Sequence, residues 1–342
     1  MKMLEGKVAA VTGAASGLGR AMALAFAGEG MHAALADIDE PGLKSTLNEV
    51  QGRGVRAFAM RVDVSRYQEV ESFCSKAIAQ FGATLFRPAS SNGRALQINA
   101  AAGVKQEYYG KFAAYLSERG FTVLTFDYRG IGRSGHWRLN ARMRDWAELD
   151  AGAALQFLSK TGKKLMAVGH SFGGQSFALI PGAEQLAAAL AVGSQSGYWR
   201  HWRGAPRAGM WLLTHVLLPG ISRLFGYFPA AALGQGENLP AGVAIEWARW
   251  CRDPDYLVGA LGAKERYARF SAPLRLYWVA DDPYAPLAAA EALLELYPRA
   301  PAELTRVMPR ELGAERIGHF GFFREQFRDT LWRDAADWLE RH

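Results

Sequence analysis

The sequence predicts an α/β protein in two parts. A short βαβαβα segment fills residues 1–82, and a longer, mostly parallel sheet with flanking helices fills residues 83–342. Three observations carry this expectation. Short apolar runs alternate with stretches of helical period along most of the chain, which is the rhythm of parallel strands joined by helices. A glycine-rich turn follows the first apolar run. A second turn, Gly169-His170-Ser171-Phe172-Gly173-Gly174, stands directly between an apolar run and a helix-like stretch. A chain of 342 residues is long enough to bury two cores.

In the first part the pattern predicts strands at 7–12, 31–36 and 55–62, and helices at 17–29, 40–52 and 66–80. Thr12-Gly13-Ala14-Ala15-Ser16-Gly17-Leu18-Gly19 links the first strand to the first helix. Glycines there let the backbone turn tightly and approach a pyrophosphate, which would rest on the helix N-terminus. Asp37 ends the second strand, where a carboxylate can take a ribose 2′-hydroxyl, and Asp63-Val64 follows the third. Residues 5–82 resemble the N-terminal half of a short-chain dehydrogenase/reductase, a partial Rossmann unit. The resemblance implies Gly13, Ser16, Gly17, Gly19, Asp37, Asp63 and Val64 as cofactor contacts, with NAD favoured over NADP. It stops there. No Tyr in the chain has Lys four positions on, so the Tyr-x-x-x-Lys pair that such enzymes use to pass a proton as hydride moves is missing. Ile98-Asn99-Ala100-Ala101-Ala102-Gly103 is similar to the family's Asn-Asn-Ala-Gly element, but a different pattern follows it.

In the second part we expect strands near 83–88, 95–100, 121–126, 164–169, 187–193, 273–280 and 303–308. Helices are expected near 106–118, 142–160, 172–180, 286–297 and 323–340. Residues 197–265 break the rhythm and read as an inserted helical cap. Lys164-Leu165-Met166-Ala167-Val168 runs into Gly169-His170-Ser171-Phe172-Gly173. This is G-x-S-x-G between strand and helix, the nucleophile elbow: a sharp turn that needs small flanking residues and lifts the serine hydroxyl clear of the sheet. A serine needs a base. Of seven His, His319 in Ile317-Gly318-His319-Phe320-Gly321 has the right place, after the last strand and before the final helix. His170 lies inside the elbow and reads as a packing or backbone-bonding residue. His136, His201 and His215 come too early, His32 is in the other part, and His342 is the last residue. The acid that holds the imidazole tautomer falls in Ala280-Asp281-Asp282-Pro283-Tyr284-Ala285-Pro286. The segment resembles the acid loop of α/β-hydrolases, where the acid commonly stands four residues before a Pro; that resemblance implies Asp282, with Asp281 as the alternative. The expected oxyanion donors are the N–H of Phe172, the residue after the nucleophile, and one from the loop after 95–100; α/β-hydrolases often carry His-Gly there, and setting Asn99-Ala100 in that register implies Ala101, give or take one residue.

Asp127-Tyr128-Arg129-Gly130-Ile131-Gly132-Arg133-Ser134 follows the strand at 121–126 and is similar to a D-x-R-G-x-G-x-S turn, read here as scaffold. Residues 83–342 resemble the α/β-hydrolase family, and within it bacterial hydrolases related to lysophospholipase and serine aminopeptidase. The resemblance implies hydrolysis of a carboxylic ester or related acyl bond by Ser171, His319 and Asp282, with no cofactor required. The alternatives are an NAD(P)-dependent oxidoreductase, or a nucleotide-binding module beside a silent hydrolase scaffold. The usual first hydrolase strand is replaced by dehydrogenase-like sequence ending Gln80-Phe81-Gly82. That suggests a fusion in which each parent lost a piece and in which the first sheet is left with an unpaired edge.

Composition bounds the rest. Half the residues are hydrophobic and the net charge is +7. Residues 1–82 carry nine basic and nine acidic side chains, so the excess lies in 83–342. No Lys/Arg-rich run of the nucleic-acid kind occurs. Cys74 and Cys251 have neither disulfide nor metal spacing, so no metal is expected. The N-terminal apolar run is broken at Thr12-Gly13 and reads as strand and turn, not as a signal peptide. The apolar stretches around 208–234 are interrupted by Gly, Pro, His and Arg, so no membrane span is expected, and the expected location is cytoplasmic. Residues 197–250 hold five of the ten Trp: Trp199, Trp202, Trp211, Trp247 and Trp250. With Leu212, Leu213, Leu217, Leu218, Phe225 and Phe228 they form the cap's own core or an apolar wall for a hydrophobic acyl substrate. The sequence carries no signal of oligomeric state.

Overall fold

The computed structural model describes residues 4, 7–80, 82–135, 140–234 and 236–342, without the side chains of 71, 75 and 78–80. His136 lies outside the described residues. The chain divides into two compact units, Met1–Thr84 and Leu85–His342.

The first unit holds strands β1 (Val8–Thr12), β2 (His32–Asp37) and β3 (Ala57–Arg61) in the order β1-β2-β3, paired in parallel. Helices Gly17–Gly28, Glu40–Gln51 and Tyr67–Gln80 connect and follow them. The run Ala33-Ala34-Leu35-Ala36 is buried because β2 is central and covered on both faces. β1 alternates instead: Ala9 and Val11 are buried while Val8, Ala10 and Thr12 are exposed, as befits an edge strand. Asp39 starts the second helix by accepting the Gly42 N–H at 3.3 Å.

The second unit is built on a seven-stranded sheet ordered β12-β11-β8-β7-β5-β6-β4, whose last strand begins two residues before the division at Leu85. Its strands are β4 (Ala83–Phe86), β5 (Arg94–Asn99), β6 (Thr122–Phe126), β7 (Lys164–His170), β8 (Leu186–Val192), β11 (Leu274–Val279) and β12 (Ala302–Val307). The short pair β9 (Tyr227–Phe228) and β10 (Leu239–Pro240) forms a separate antiparallel ribbon. The six strands from β12 to β6 are parallel throughout. Thr122-Val123-Leu124-Thr125-Phe126 is wholly buried, as the continuous runs of a doubly covered sheet require. The helices Gly110–Glu118, Gly152–Ser159 and Arg333–Arg341 pack on β6, on β5 and β6, and on β8. β4 is the edge strand, and among the described residues none lies beyond it.

Between β8 and β11 the chain leaves the sheet. Residues Gly204–Phe225 form one continuous helix of 22 residues, long and apolar enough by length and composition to span a bilayer. This corrects the sequence expectation. Gly209, His215, Pro219 and Gly220 do not break the helix; it absorbs them with a π-helical stretch over Leu213–Leu217, directly before the Pro219 region.

Candidate active site

The site is assembled at the carboxyl ends of adjacent parallel strands, where the chain turns away from the sheet and side chains from distant segments meet. Ser171 follows β7, Gly193 follows β8, Asp281 and Asp282 follow β11, and His319 lies beyond β12.

Ser171 has φ 51° and ψ −116°, a strained left-handed conformation for a residue with a Cβ. Its N–H donates to the Val192 carbonyl at 2.9 Å, and its own carbonyl accepts from Gly174 N–H at 3.0 Å and from the Ser194 hydroxyl at 2.9 Å. The turn leaves no space around it. A Cβ on Gly169 would lie 2.3 Å from the Gly174 nitrogen, and one on Gly173 would lie 2.1 Å from the Asn99 oxygen. Only glycine fits at either position, so the G-x-S-x-G spacing is a steric requirement.

His319 sits in the short helical turn Gly318–Gly321 and is buried. Its Nδ1 is 2.7 Å from Asp282 Oδ2, and the other Asp282 oxygen accepts the Tyr284 N–H at 2.8 Å. A carboxylate only accepts, so Nδ1 carries a proton, and in the neutral imidazole Nε2 is then the bare nitrogen. The neighbouring Asp281 does something else. Its two oxygens accept the backbone N–H groups of Ile317 at 3.0 Å and Gly318 at 2.9 Å, pinning the segment that presents His319. Of the two candidates, Asp282 is the one that reaches the imidazole.

Ser171 and His319 line one cavity of about 490 Å³. Among the described residues the Ser171 hydroxyl makes no hydrogen bond, so the serine and imidazole share the cavity without being joined in this state. Apolar side chains, among them Met143, Leu213, Leu218, Phe228 and Trp247, form most of the walls. Of the aromatic and aliphatic set expected to build a wall, Trp202, Trp247, Leu213, Leu218 and Phe228 reach the cavity. Trp250 is fully buried, while Trp211, Leu212, Leu217 and Phe225 face solvent.

The two amides expected as oxyanion donors differ in what they bind. Phe172 opens a helical turn, and its N–H has no acceptor among the described residues. The Ala101 N–H, expected as the second donor, is already spent: it donates to the Tyr109 hydroxyl at 2.9 Å. That hydroxyl also lies 2.9 Å from His170 Nδ1, and His170 Nε2 lies 2.9 Å from the His319 carbonyl. Chemistry fixes the direction of this chain. A carbonyl only accepts, so Nε2 of His170 carries the proton, Nδ1 accepts from the Tyr109 hydroxyl, and Tyr109 accepts from Ala101. Complete burial, together with the neighbouring His319, pushes the His170 pKa well below its ordinary value and keeps the ring neutral. Nothing in the sequence around Tyr109 announces this role, because it depends on three segments meeting.

The turn after β6 is scaffold. Asp127 is buried and accepts Gln106 N–H at 2.8 Å and Arg133 N–H at 3.0 Å. Arg129 binds Asp150 through its N–H, Nε and Nη2 at 2.9, 2.9 and 2.6 Å.

In the first unit, Gly13 and Gly17 have φ 66° and 52°, and a Cβ on Gly19 would lie 2.0 Å from the Gly13 oxygen. Ser16 stands at the N-cap position of the following helix without a side-chain capping bond and is exposed, and Val64 is also exposed. Asp37 accepts the Ala15 N–H at 2.9 Å and the Asp39 N–H at 3.0 Å. Burial is the largest single effect and pushes its carboxyl up, but the backbone N–H bonds together outweigh it and hold the pKa below the ordinary value. Asp63 is occupied by Ser65, whose N–H and hydroxyl reach it at 3.0 and 2.7 Å. The open loop over Gly13 and Gly17 fits the adenosine-diphosphate half of a dinucleotide. The nicotinamide half has no strand to hold it beside β1 among the described residues of this three-stranded sheet.

The family model described as "Alpha/beta hydrolase family" matches residues 100–333. The chain belongs to that family. The model described as "short chain dehydrogenase" matches residues 7–86. Among solved structures, this hydrolase is similar to a monoacylglycerol lipase of Paleococcus ferrophilus, at 17% identity and TM-score 0.52 over 76% of this chain and 98% of the other. It is also similar to a soluble variant of monoglyceride lipase from Saccharomyces cerevisiae, at 17% identity and TM-score 0.54 over 76% and 91%. At such identity the likeness is one of fold. Curated relatives match the N-terminal segment. The "Probable oxidoreductase EphD" of Mycobacterium tuberculosis (strain ATCC 25618 / H37Rv) is 46% identical over 72 residues, 21% of this chain and 12% of that protein. The 7alpha-hydroxysteroid dehydrogenase of Escherichia coli (strain K12) is 35% identical over 79 residues, 23% and 31%. The chain thus spans between an eighth and a third of these relatives' length.

Proposed function

We propose that this α/β hydrolase cleaves a carboxylic ester or related acyl bond through Ser171, His319 and Asp282, by way of an acyl-enzyme. The observation that carries the proposal is the 2.7 Å His319–Asp282 contact beside a serine held at φ 51° on the same cavity. The bare Nε2 of His319 takes the Ser171 proton as the hydroxyl oxygen attacks the acyl carbon. The Phe172 N–H meets the developing oxyanion. Ala101 is not available without giving up Tyr109. The second donor passes to Ala102, one residue on, which lines the cavity and whose N–H has no acceptor among the described residues. Collapse of the tetrahedral adduct expels the alcohol, which takes its proton from His319. Water then repeats the sequence and frees the acid. Asp282 holds the tautomer throughout.

The substrate is a small molecule with a hydrophobic acyl group, matched to the apolar walls. Residues 197–265 act as its cap, on a hydrolase domain taken as 83–342 after a dehydrogenase-like module at 1–82. Hydrolysis needs no cofactor. NAD is the ligand we assign to Gly13, Ser16, Gly17, Gly19 and Asp37, through its adenosine-diphosphate half and without redox turnover; calorimetry with NAD tests it. The working location is cytoplasmic.

A fluorophosphonate probe tests the main reading. Ser171→Ala should abolish labelling while Ser176→Ala retains it. A wild-type chain that neither labels nor hydrolyses p-nitrophenyl esters from acetyl to octanoyl would overturn it.

A further inference from the structure

We infer that the outer face of the helix Gly204–Phe225 docks on a bilayer surface bearing anionic phospholipid. The helix is apolar on two opposite sides. Inward, Met210, Leu213 and Leu218 line the cavity. Outward, Leu212, Val216 and Leu224 stand in a four-residue ridge with Gly220 between them, and all three are exposed, Leu224 to 77%. Leu217 and Phe225 flank this ridge and are also exposed. An exposed apolar ridge this long on a soluble-type sheet fold marks a binding surface.

Charge selects the occupant. No Asp or Glu occurs between Glu184 and Glu237. Arg200, Arg203, Arg207 and Arg223 are exposed, and among the described residues none of them pairs with a carboxylate. Arg200 and Arg207 lie over the Trp199 ring, which leaves their charge uncompensated, and an apolar ridge with arginines that no carboxylate neutralises is the chemistry of a helix lying in an anionic interface. A second copy fits poorly, because a two-fold contact through this face would bring the Arg223 side chains of the two copies, seven residues along from Val216, into one interface with no Asp or Glu on the segment to offset them. The helix lies on the surface and does not cross it, since its inner side belongs to the cavity wall. The inference stands on this face alone and needs no catalysis.

Sedimentation of the full chain with vesicles of phosphatidylglycerol and phosphatidylcholine, against phosphatidylcholine alone, tests it. Binding should be at least tenfold tighter to the anionic vesicles and should fall steeply with salt. Leu212→Ser/Val216→Ser/Leu224→Ser should lose at least tenfold on anionic vesicles with its thermal unfolding unchanged. Arg203→Gln/Arg207→Gln/Arg223→Gln should erase the preference between the two lipids. Equal binding to both lipids, wild-type binding by both variants, or a concentration-dependent dimer that the serine variant disperses would each overturn the inference. The Ser171→Ala chain should bind vesicles like the wild type, so a failure here is separate from a failure of the hydrolase reading.

Discussion

Asp281 and Asp282 are adjacent carboxylates with different work, and exchanging each for its amide separates them. In Asp282→Asn the oxygen that accepts Tyr284 N–H can stay, at 2.8 Å, so the loop keeps its shape. The amide nitrogen then faces His319 Nδ1 where Oδ2 stood at 2.7 Å. A donor there forces the imidazole to carry its proton on Nε2, and the base is lost. By analogy with other serine triads, the fall in kcat should be roughly 10³–10⁴, a barrier increase of about 4–5.5 kcal/mol. In Asp281→Asn one of two backbone bonds, to Ile317 or Gly318, loses its acceptor. A hydrogen bond to a charged partner contributes about 1.5–3 kcal/mol, so unfolding should become easier by about that much. Activity should fall by no more than about tenfold, because His319 keeps its own acid. The assay is p-nitrophenyl ester turnover, with denaturant unfolding of the same preparations. If Asp281→Asn costs as much turnover as Asp282→Asn, or if Asp282→Asn keeps wild-type kcat, the assignment of roles is wrong.

Three further outcomes follow from the same coordinates. Gly193 has φ 56°, and a Cβ there would lie 3.2 Å from Asp282 Oδ2 and 3.3 Å from His319 Nδ1, so Gly193→Ala should lower kcat by about 10–100-fold with KM nearly unchanged; steady-state kinetics decide. Tyr109→Phe orphans both the Ala101 N–H and His170 Nδ1 in a buried place, and should cost about 2–4 kcal/mol in urea unfolding; an unshifted midpoint would contradict the directional chain. In the first unit, burial and then Arg56 lower the His32 pKa to about 4, while Nδ1 accepts the Arg56 N–H at 3.2 Å. The folded form therefore binds fewer protons than the unfolded one between about pH 6.5 and 4, and stability must fall as pH drops through that window. With the ring half exposed, the loss should be on the order of 1–2 kcal/mol after allowing for solvent screening, and His32→Gln should remove it; unfolding measured from pH 7.5 to 4.5 checks this.

The fold was legible where local pattern is strong. Runs such as Leu186–Val192 and Thr122–Phe126 are continuous because parallel strands are covered on both faces, and the structure places the strands within a residue or two of expectation. The glycines of the elbow were legible because steric exclusion leaves no other residue type at Gly169 and Gly173. The apolar stretch around 208–234 misled, because the punctuation at Gly209, Pro219 and Gly220 reads as broken helix while tertiary support and a π-helical stretch carry it through. The spacing to Pro286 pointed to Asp282 over Asp281, and Asp282 is the one that stands 2.7 Å from His319 Nδ1, but the separate contacts of Asp281 were not legible. Neighbouring residues after a strand point apart, and which one meets His319 depends on where the segment at 317–319 lies.

Ala101 shows why a position counted along the chain does not settle what an amide is free to bind. Counting from the end of β5 puts its amide beside the elbow, and the structure does place Ala101 on the cavity. Whether an amide can serve an oxyanion depends on what it already binds. Here the Tyr109 hydroxyl has claimed it, and His170 has oriented that hydroxyl by demanding a donor at Nδ1. His170 can make that demand only because its other nitrogen is committed to the backbone of His319. The residue before the nucleophile, the loop after β5 and the segment carrying the base are thus tied into one buried chain whose polarity is set at the far end by a carbonyl. On the proposed mechanism an oxyanion donor must then be an amide outside the chain, and the N–H groups of Phe172, at the open start of its helical turn, and Ala102 are the ones this arrangement leaves without an acceptor among the described residues.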